Sequence, residues 1–215
     1  SYVIKGVNFT NGVKYNKTMS FDGNGSTISG NNQARIFDVM LQTSNSLVIK
    51  DTNFVNASNV GNGGALNVAI SNLHVTNCNF TNNTAYDGGA IYCSANGLTV
   101  DYCNFDNNKA SHEGATIYLK ASNTVGDLRV SNDNFTNNVA QSSGGAIAGK
   151  NGYNIVITDS NFIANQAETA YGGSIKWDNC GGVTISDSIF KDNTAVSAGA
   201  IDINDGSNAH ITDCY

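Results

Sequence analysis

The sequence predicts an all-β protein, a single-stranded right-handed parallel β-helix of about 7–8 coils, each of roughly 27 residues. Three observations predict this fold: a repeated segment that ends in Phe, a second repeat built on a Gly pair, and the absence of Pro from all 215 residues. A strand ladder uses the backbone N–H of its residues, and Pro has none. A chain that is almost entirely ladder therefore excludes Pro.

The first repeat is a mostly apolar segment that closes with Phe. Its copies are LVIKDTNF (47–54), LHVTNCNF (73–80), LTVDYCNF (98–105), LRVSNDNF (128–135), IVITDSNF (155–162) and VTISDSIF (183–190). The closing Phe residues lie 26, 25, 30, 27 and 28 residues apart. A near-constant period of this length is typical of a solenoid whose coils stack on one another. We interpret YVIKGVNF (2–9) and HITDCY (210–215) as further copies.

The second repeat begins with small residues and continues as a strand. Its copies are GGAL (63–66), GGAI (88–91), GATI (114–117), GGAI (144–147), GGSI (172–175) and AGAI (198–201). Apolar residues alternate with mostly polar ones after the small residues, as in Leu66, Asn67 and Val68. This period of two predicts a strand with one buried face. We expect about three short strands per coil, each in parallel with its copy about 4.8 Å away.

An Asn follows each of five Phe residues at a fixed distance of three. These residues are Asn83, Asn108, Asn138, Asn165 and Asn193. An Asn amide both donates and accepts hydrogen bonds, so stacked Asn side chains can form a ladder. Asn also tolerates the left-handed conformation of a sharp corner. We favour this structural role over the alternative, a ligand-binding ladder.

The repeats assign residues 1–215 to a single domain. Residues 46–215 carry the regular repeats, whereas residues 1–45 lack the Gly pair and are expected to form irregular N-terminal coils. The pattern is cut at both ends, so we expect a fragment of a longer protein.

Composition excludes several functions. The formal net charge is −6 and only Arg35 and Arg129 are arginines, so we expect no nucleic-acid partner. The sequence contains no run of 18 apolar residues, so it predicts no membrane-spanning helix. The five Cys lack zinc-site spacing, and we predict no metal, cofactor or catalytic residue. Cys78 and Cys103 occupy equivalent positions and are predicted to be buried thiols without a disulfide.

The combination of F-x-x-N with GGA[IL] resembles the polymorphic outer-membrane-protein repeats of bacterial autotransporter passengers. The Asn-rich form seen here, with FDGNGSTISG (21–30) and ARIFDV (34–39), resembles the adhesin-like surface proteins of methanogenic archaea. The resemblance covers nearly the whole chain. It implies an extracellular, cell-surface location, further β-helix or anchoring domains, and contact with glycans or proteins of another cell.

Two outward-facing groups are candidate ligand contacts. Tyr92 and Tyr118 fall in one column on adjacent coils, where their rings could bind a sugar face or stabilise the sheet as a cross-strand pair. The strongest charged group is expected on the same face and consists of Lys150, Lys176, Asp178 and Asp202. Two carboxylates that each lie beside a Lys indicate solvated ion pairs rather than an acid–base couple.

These observations leave three functions open. We favour a non-catalytic, adhesin-like surface protein that binds through exposed faces and loops of the solenoid. The alternatives are a structural spacer or envelope component, and a polysaccharide lyase or hydrolase on the pectin-lyase-like scaffold. His112 and Glu113 lie in a variable loop, and we consider a catalytic role for them and set it aside.

Overall fold

The computed structural model is a stack of coils joined by parallel strand pairing. It describes residues 7–9, 18–40, 46–94, 96–121 and 126–215, and within these ranges every ordered element is a strand. The coils form a β-solenoid of about 7 turns with about 27 residues per turn. The predicted fold is confirmed in these respects, while its right-handedness stays a prediction that follows from the handedness rule for parallel crossovers. The described residues contain no helix that is long and apolar enough to cross a bilayer.

The strands recur in the same order in each coil. The first eight are β1 (Val7–Phe9), β2 (Met19–Ser29), β3 (Phe37–Met40), β4 (Ser46–Val55), β5 (Leu66–Ala69), β6 (Asn72–Thr76), β7 (Asn79–Thr81) and β8 (Thr84–Ala85). The next eight are β9 (Ile91–Cys93), β10 (Gly97–Asp101), β11 (Asn104–Asp106), β12 (Lys109–Ala110), β13 (Ile117–Lys120), β14 (Gly126–Ser131), β15 (Asn134–Thr136) and β16 (Val139–Ala140). The last seven are β17 (Ile147–Thr158), β18 (Asn161–Ile163), β19 (Gln166–Ala167), β20 (Ile175–Ser186), β21 (Ile189–Lys191), β22 (Ile201–Asn204) and β23 (Ala209–Thr212).

Three faces carry the longer strands of each coil. The coil from β5 to β8 illustrates them: β5 lies on the first face, β6 on the second and β7 on the third. Four of the described coils also contain a two-residue strand such as β8, which pairs with its equivalent in an adjacent coil. These coils therefore have a fourth strand in addition to the three that the sequence predicts. Each strand pairs in parallel with the equivalent strand one coil away, as β6 does with β10.

The Phe residues form one continuous interior stack. Adjacent rings from Phe54 to Phe190 have centroids 4.6–4.9 Å apart, and their planes differ by at most 15°. Phe80, Phe105 and Phe135 are completely buried. The predicted aromatic stack is confirmed, and its spacing follows from the distance between paired strands.

The interior Asn column forms the predicted hydrogen-bonded ladder. Asn83 Nδ2 donates to Asn108 Oδ1 over 3.0 Å, and Asn108 Nδ2 donates to Asn138 Oδ1 over 3.1 Å. The left-handed conformation belongs to the residue before each Asn, for example Asn82 with φ of 57°. The expectation that the ladder Asn residues themselves adopt the left-handed conformation is therefore wrong. Each ladder Asn is the residue after the left-handed one, and its buried side chain supports the turn from inside.

The described strands of the N-terminal region extend the stack of coils, with a shift in pairing register between Asp22 and Ser26. Strand β2 pairs with β4 and places Ile28 opposite Phe54, so Ile28 takes the place of the Phe in this coil. Residues 2–9 are expected to be a copy of the Phe-ending repeat, and this is wrong for residues 7–9. They form β1, which pairs with β3 on the first face, where the second repeat lies. Residues 2–6 of that copy lie outside the described residues. The final copy is confirmed, since β23 pairs with β20.

Candidate functional site

A row of loop residues lies above the outer side of the first face. Each one directly precedes the first small residue of the second repeat, and the row includes Asp87, Glu113, Ser143 and Tyr171. The turn that follows favours glycine, because this position is left-handed, with φ of 61° at Gly88 and 63° at Gly114; Ala198 adopts the same conformation in one copy. A Cβ on Gly88 would also lie 2.2 Å from Ile91 O. The turn thus folds the loop residue back towards the strand, where it covers the outward side chains.

Tyr92 and Tyr118 stack as predicted, but they do not form an exposed platform. Their ring centroids are 5.5 Å apart and their planes differ by 1°. Tyr118 is only 5% exposed and Tyr92 is half-buried. Burial, followed by the nearby Glu113 carboxylate, raises the pKa of Tyr118. The expectation of an exposed ring is wrong for Tyr118, which the loop row covers, whereas Tyr92 is partly exposed.

The predicted charged group separates into two clusters. Lys176 Nζ lies 2.6 Å from Asp178 Oδ1 and 2.9 Å from Asp202 Oδ2. Lys176 is 5% exposed, whereas the Asp178 and Asp202 carboxylates are partly exposed, so the expectation of solvated pairs is wrong for the ammonium alone. Burial opposes the charge of Lys176, yet the two carboxylates outweigh it and the pKa of its ammonium is raised. Lys150 instead contacts Glu113, with 3.3 Å between Nζ and Oε2.

Asp87, His112 and Glu113 form a cluster that the sequence analysis did not assemble. His112 Nδ1 lies 2.8 Å from Asp87 Oδ1, which also accepts the backbone N–H of Glu113 over 3.1 Å. One ligand-type atom from each residue lies within 4.8 Å of the other two. Asp87 and Glu113 each precede a Gly in successive copies, so aligning the coils on that Gly would have revealed the pair.

A groove of about 280 Å³ crosses the outer side of the second face. It spans β4, β6, β10 and β14, and its lining residues include Asn72, His74, Gly97, Thr99 and Arg129. The paired register places Gly97 between Asn72 and Asp127, and Thr99 between His74 and Arg129. Small residues in the middle coil and larger ones in its neighbours therefore create the depression.

The groove has a mixed lining, in which apolar side chains lie beside polar ones that include both Arg129 and the Asp127 carboxylate. Arg129 is exposed and makes no ion pair with any described residue. His74 Nε2 lies 2.8 Å from Asp101 Oδ1. The groove offers hydrogen-bond donors and acceptors along several coils, which suits an extended polar ligand. The groove depends on differences in side-chain size between coils, and the repeat pattern within one coil does not display them.

Comparison with known proteins supports the bacterial part of the resemblance. Residues 77–94 and 134–150 match the model of the Chlamydia polymorphic membrane protein repeat. Both segments contain the Phe, the Asn three residues later and the GGAI sequence. No curated protein and no solved structure matches the chain. These comparisons give no support to an archaeal origin.

Proposed function

We propose that the chain belongs to a non-catalytic, adhesin-like cell-surface protein that attaches to glycans of another cell through the outer groove of its second face. The match to the polymorphic membrane protein repeat supports a surface protein of this kind. The observation that carries glycan binding is the polar groove across four successive coils.

The chemistry of the groove favours saccharides over other ligands. Its outward positions hold Asn, Ser, Thr, His and Arg side chains, the Asp127 carboxylate and the apolar Val48, and the polar ones exchange hydrogen bonds with hydroxyl groups. The exposed Arg129 guanidinium adds a planar donor that suits the carboxylate of an acidic sugar. The buried Leu47, Leu73 and Leu98 lie beneath, so the core fixes the positions of the polar side chains.

A glycan array with the purified chain tests the proposal. We expect selective binding to a subset of glycans, with acidic saccharides among them, and weaker binding by Arg129→Ala. Lys109→Ala removes an exposed cation outside the groove and is the matched control. An array without any selective signal would contradict the proposal and favour the spacer.

Incubating the same purified chain with polysaccharides and examining them for cleavage distinguishes an enzyme from a binding protein. Asp87 and Glu113 are two neighbouring carboxylates at the first face, but both are at least nine-tenths buried. A substrate would not reach them without displacement of the loop row. We therefore expect bound polysaccharides to be recovered intact. Cleavage that disappears in Glu113→Gln would contradict the non-catalytic proposal.

A further inference from the structure

We propose that Asp87, His112 and Glu113 form a binding site for a divalent transition-metal ion such as Zn²⁺. The site lies on the first face and is separate from the groove. It would hold together two adjacent coils, because Asp87 belongs to one coil and His112 and Glu113 to the next.

The three side chains offer the donor set that zinc uses. Zinc binds imidazole nitrogen and carboxylate oxygen at about 2.0–2.2 Å, with water completing the tetrahedron. Here the ligand-type atoms lie within 4.8 Å of one another, so small rotations would bring them around one ion. Asp87 and Glu113 are mostly buried, while His112 is half-exposed and leaves access from solvent.

The surrounding contacts hold the ligands in place. The His112 ring stacks on Tyr86, with centroids 4.9 Å apart and planes 16° from parallel. The backbone N–H of Glu113 donates to Asp87 Oδ1 and links the two coils at this point. Contacts of this kind orient metal ligands and typically change metal affinity by about 10–100-fold when removed.

The charge of the cluster provides an independent reason for a cation. The cluster contains two buried carboxylates, and the ammonium of Lys150 contacts one of them, that of Glu113. The Tyr118 hydroxyl donates a hydrogen bond to the Glu113 carboxylate, whose buried Oε2 accepts no hydrogen bond within the described part of the chain and lies 3.3 Å from Lys150 Nζ as an ion pair. A buried carboxylate oxygen without a hydrogen bond is costly, and a metal ion would complete its coordination.

Substitution of Lys150 distinguishes a metal site from a cluster whose role is purely structural. Its side chain is 43% exposed and can leave the carboxylate without disturbing the core. An ammonium beside the site repels an incoming cation, so Lys150→Ala should tighten Zn²⁺ binding several-fold. A structural ion pair would give no such gain.

The site occurs at one place in the described solenoid. At the position of Asp87 and Glu113, other coils carry Asn62, Ser143, Tyr171 and Ser197. Only the neighbouring coils that contain Asp87 and Glu113 thus place two carboxylates next to each other in this row. We expect a stoichiometry of one ion per chain.

Isothermal titration of the purified chain with Zn²⁺ at pH 7 tests the proposal. We expect one site, weakened at least about 10-fold by His112→Ala and by Glu113→Gln and tightened by Lys150→Ala. His74→Ala is the matched control, because His74 also contacts an Asp at 2.8 Å and lies outside the cluster. Circular dichroism verifies that each variant is folded. Absence of stoichiometric binding, or equal affinity in wild type and His112→Ala, would overturn the proposal.

Discussion

Asn108 shows how a single residue joins three coils. Its Oδ1 accepts the backbone N–H and the Nδ2 of Asn83, and its Nδ2 donates to Phe80 O and Asn138 Oδ1. All of these atoms are buried, so removing the amide leaves donors and acceptors without partners. Each such group costs about 1–3 kcal/mol.

We therefore expect Asn108→Ala to lower the free energy of unfolding by about 3 kcal/mol or more, measured by chemical denaturation. Asn104→Ala is the matched control. Asn104 also lies in an Asn ladder, with Nδ2 2.8 Å from Asn79 Oδ1, but on the exposed surface where water replaces the lost partners. We expect it to cost less than about 1 kcal/mol. Equal losses in the two variants would contradict this account.

Asp133 makes stability depend on pH. Its side chain is fully buried, and burial raises the pKa of the carboxyl to about 8 although the N–H groups of Cys103 and Ser131 donate to it. The folded chain therefore retains a proton that the unfolded chain releases near pH 4. Stability from this group is present at low pH and is lost as pH rises towards about 8.

Asp133→Ser should remove this dependence. The two following coils carry Ser160 and Ser188 at the same position, so serine fits the column. We expect the wild type to lose on the order of a few kcal/mol between pH 5 and pH 9 relative to the variant, measured by denaturation at each pH. Asp106→Ser removes a half-buried surface carboxylate and serves as the control. Parallel pH profiles for wild type and Asp133→Ser would show that the assignment is wrong.

Which residues face outward could be predicted from the sequence, but which are covered could not. Alternation along a strand correctly placed Tyr118 and Lys176 on the outer side of the first face. Their burial depends on loop residues that precede the strand and fold back over it after a left-handed Gly. The position of that loop is a tertiary feature, and the period of two contains no information about it.

At the level of elements, strand β11 tests the aromatic stack. Phe105 lies between Phe80 and Phe135 at centroid distances of 4.9 and 4.8 Å. Truncating this ring leaves a cavity between fixed coils that cannot collapse readily. We expect Phe105→Ala to lower the free energy of unfolding by about 3–5 kcal/mol. Tyr102→Ala, at a position 61% exposed, should cost far less. A loss below about 1 kcal/mol at Phe105 would mean that the strand register is wrong.

The elements were largely predictable because the repeat fixes their register. Aligning the Phe residues already pairs β7, β11, β15 and β18, and the structure has these pairs. The two-residue strands such as β12 were missed because so short a segment has no detectable alternation. The sequence predicts N-terminal coils but not their register, because Ile28 replaces the Phe on which the alignment depends.

The whole molecule is a one-dimensional stack in which each coil contacts its neighbours. Such a scaffold holds outward side chains of successive coils at regular intervals, and differences between coils create local sites. The groove around Gly97 and the cluster around His112 both arise in this way, from residues about one period apart in sequence. Repeat analysis thus predicts the scaffold, whereas the sites require the coils to be compared with one another.

Glycan titration of the wild type and Gly97→Asn tests the central claim most directly. Asn occurs in the same column at Asn72, and a Cβ at Gly97 meets only the end of the Asn72 side chain, at 2.7 Å. The variant should therefore fold while its side chain fills the middle of the groove. For a glycan selected on the array, we expect Gly97→Asn to weaken binding at least about 10-fold, or about 1.4 kcal/mol, with an unchanged circular dichroism spectrum. Equal affinity in the two proteins would contradict the claim that the groove is the binding site.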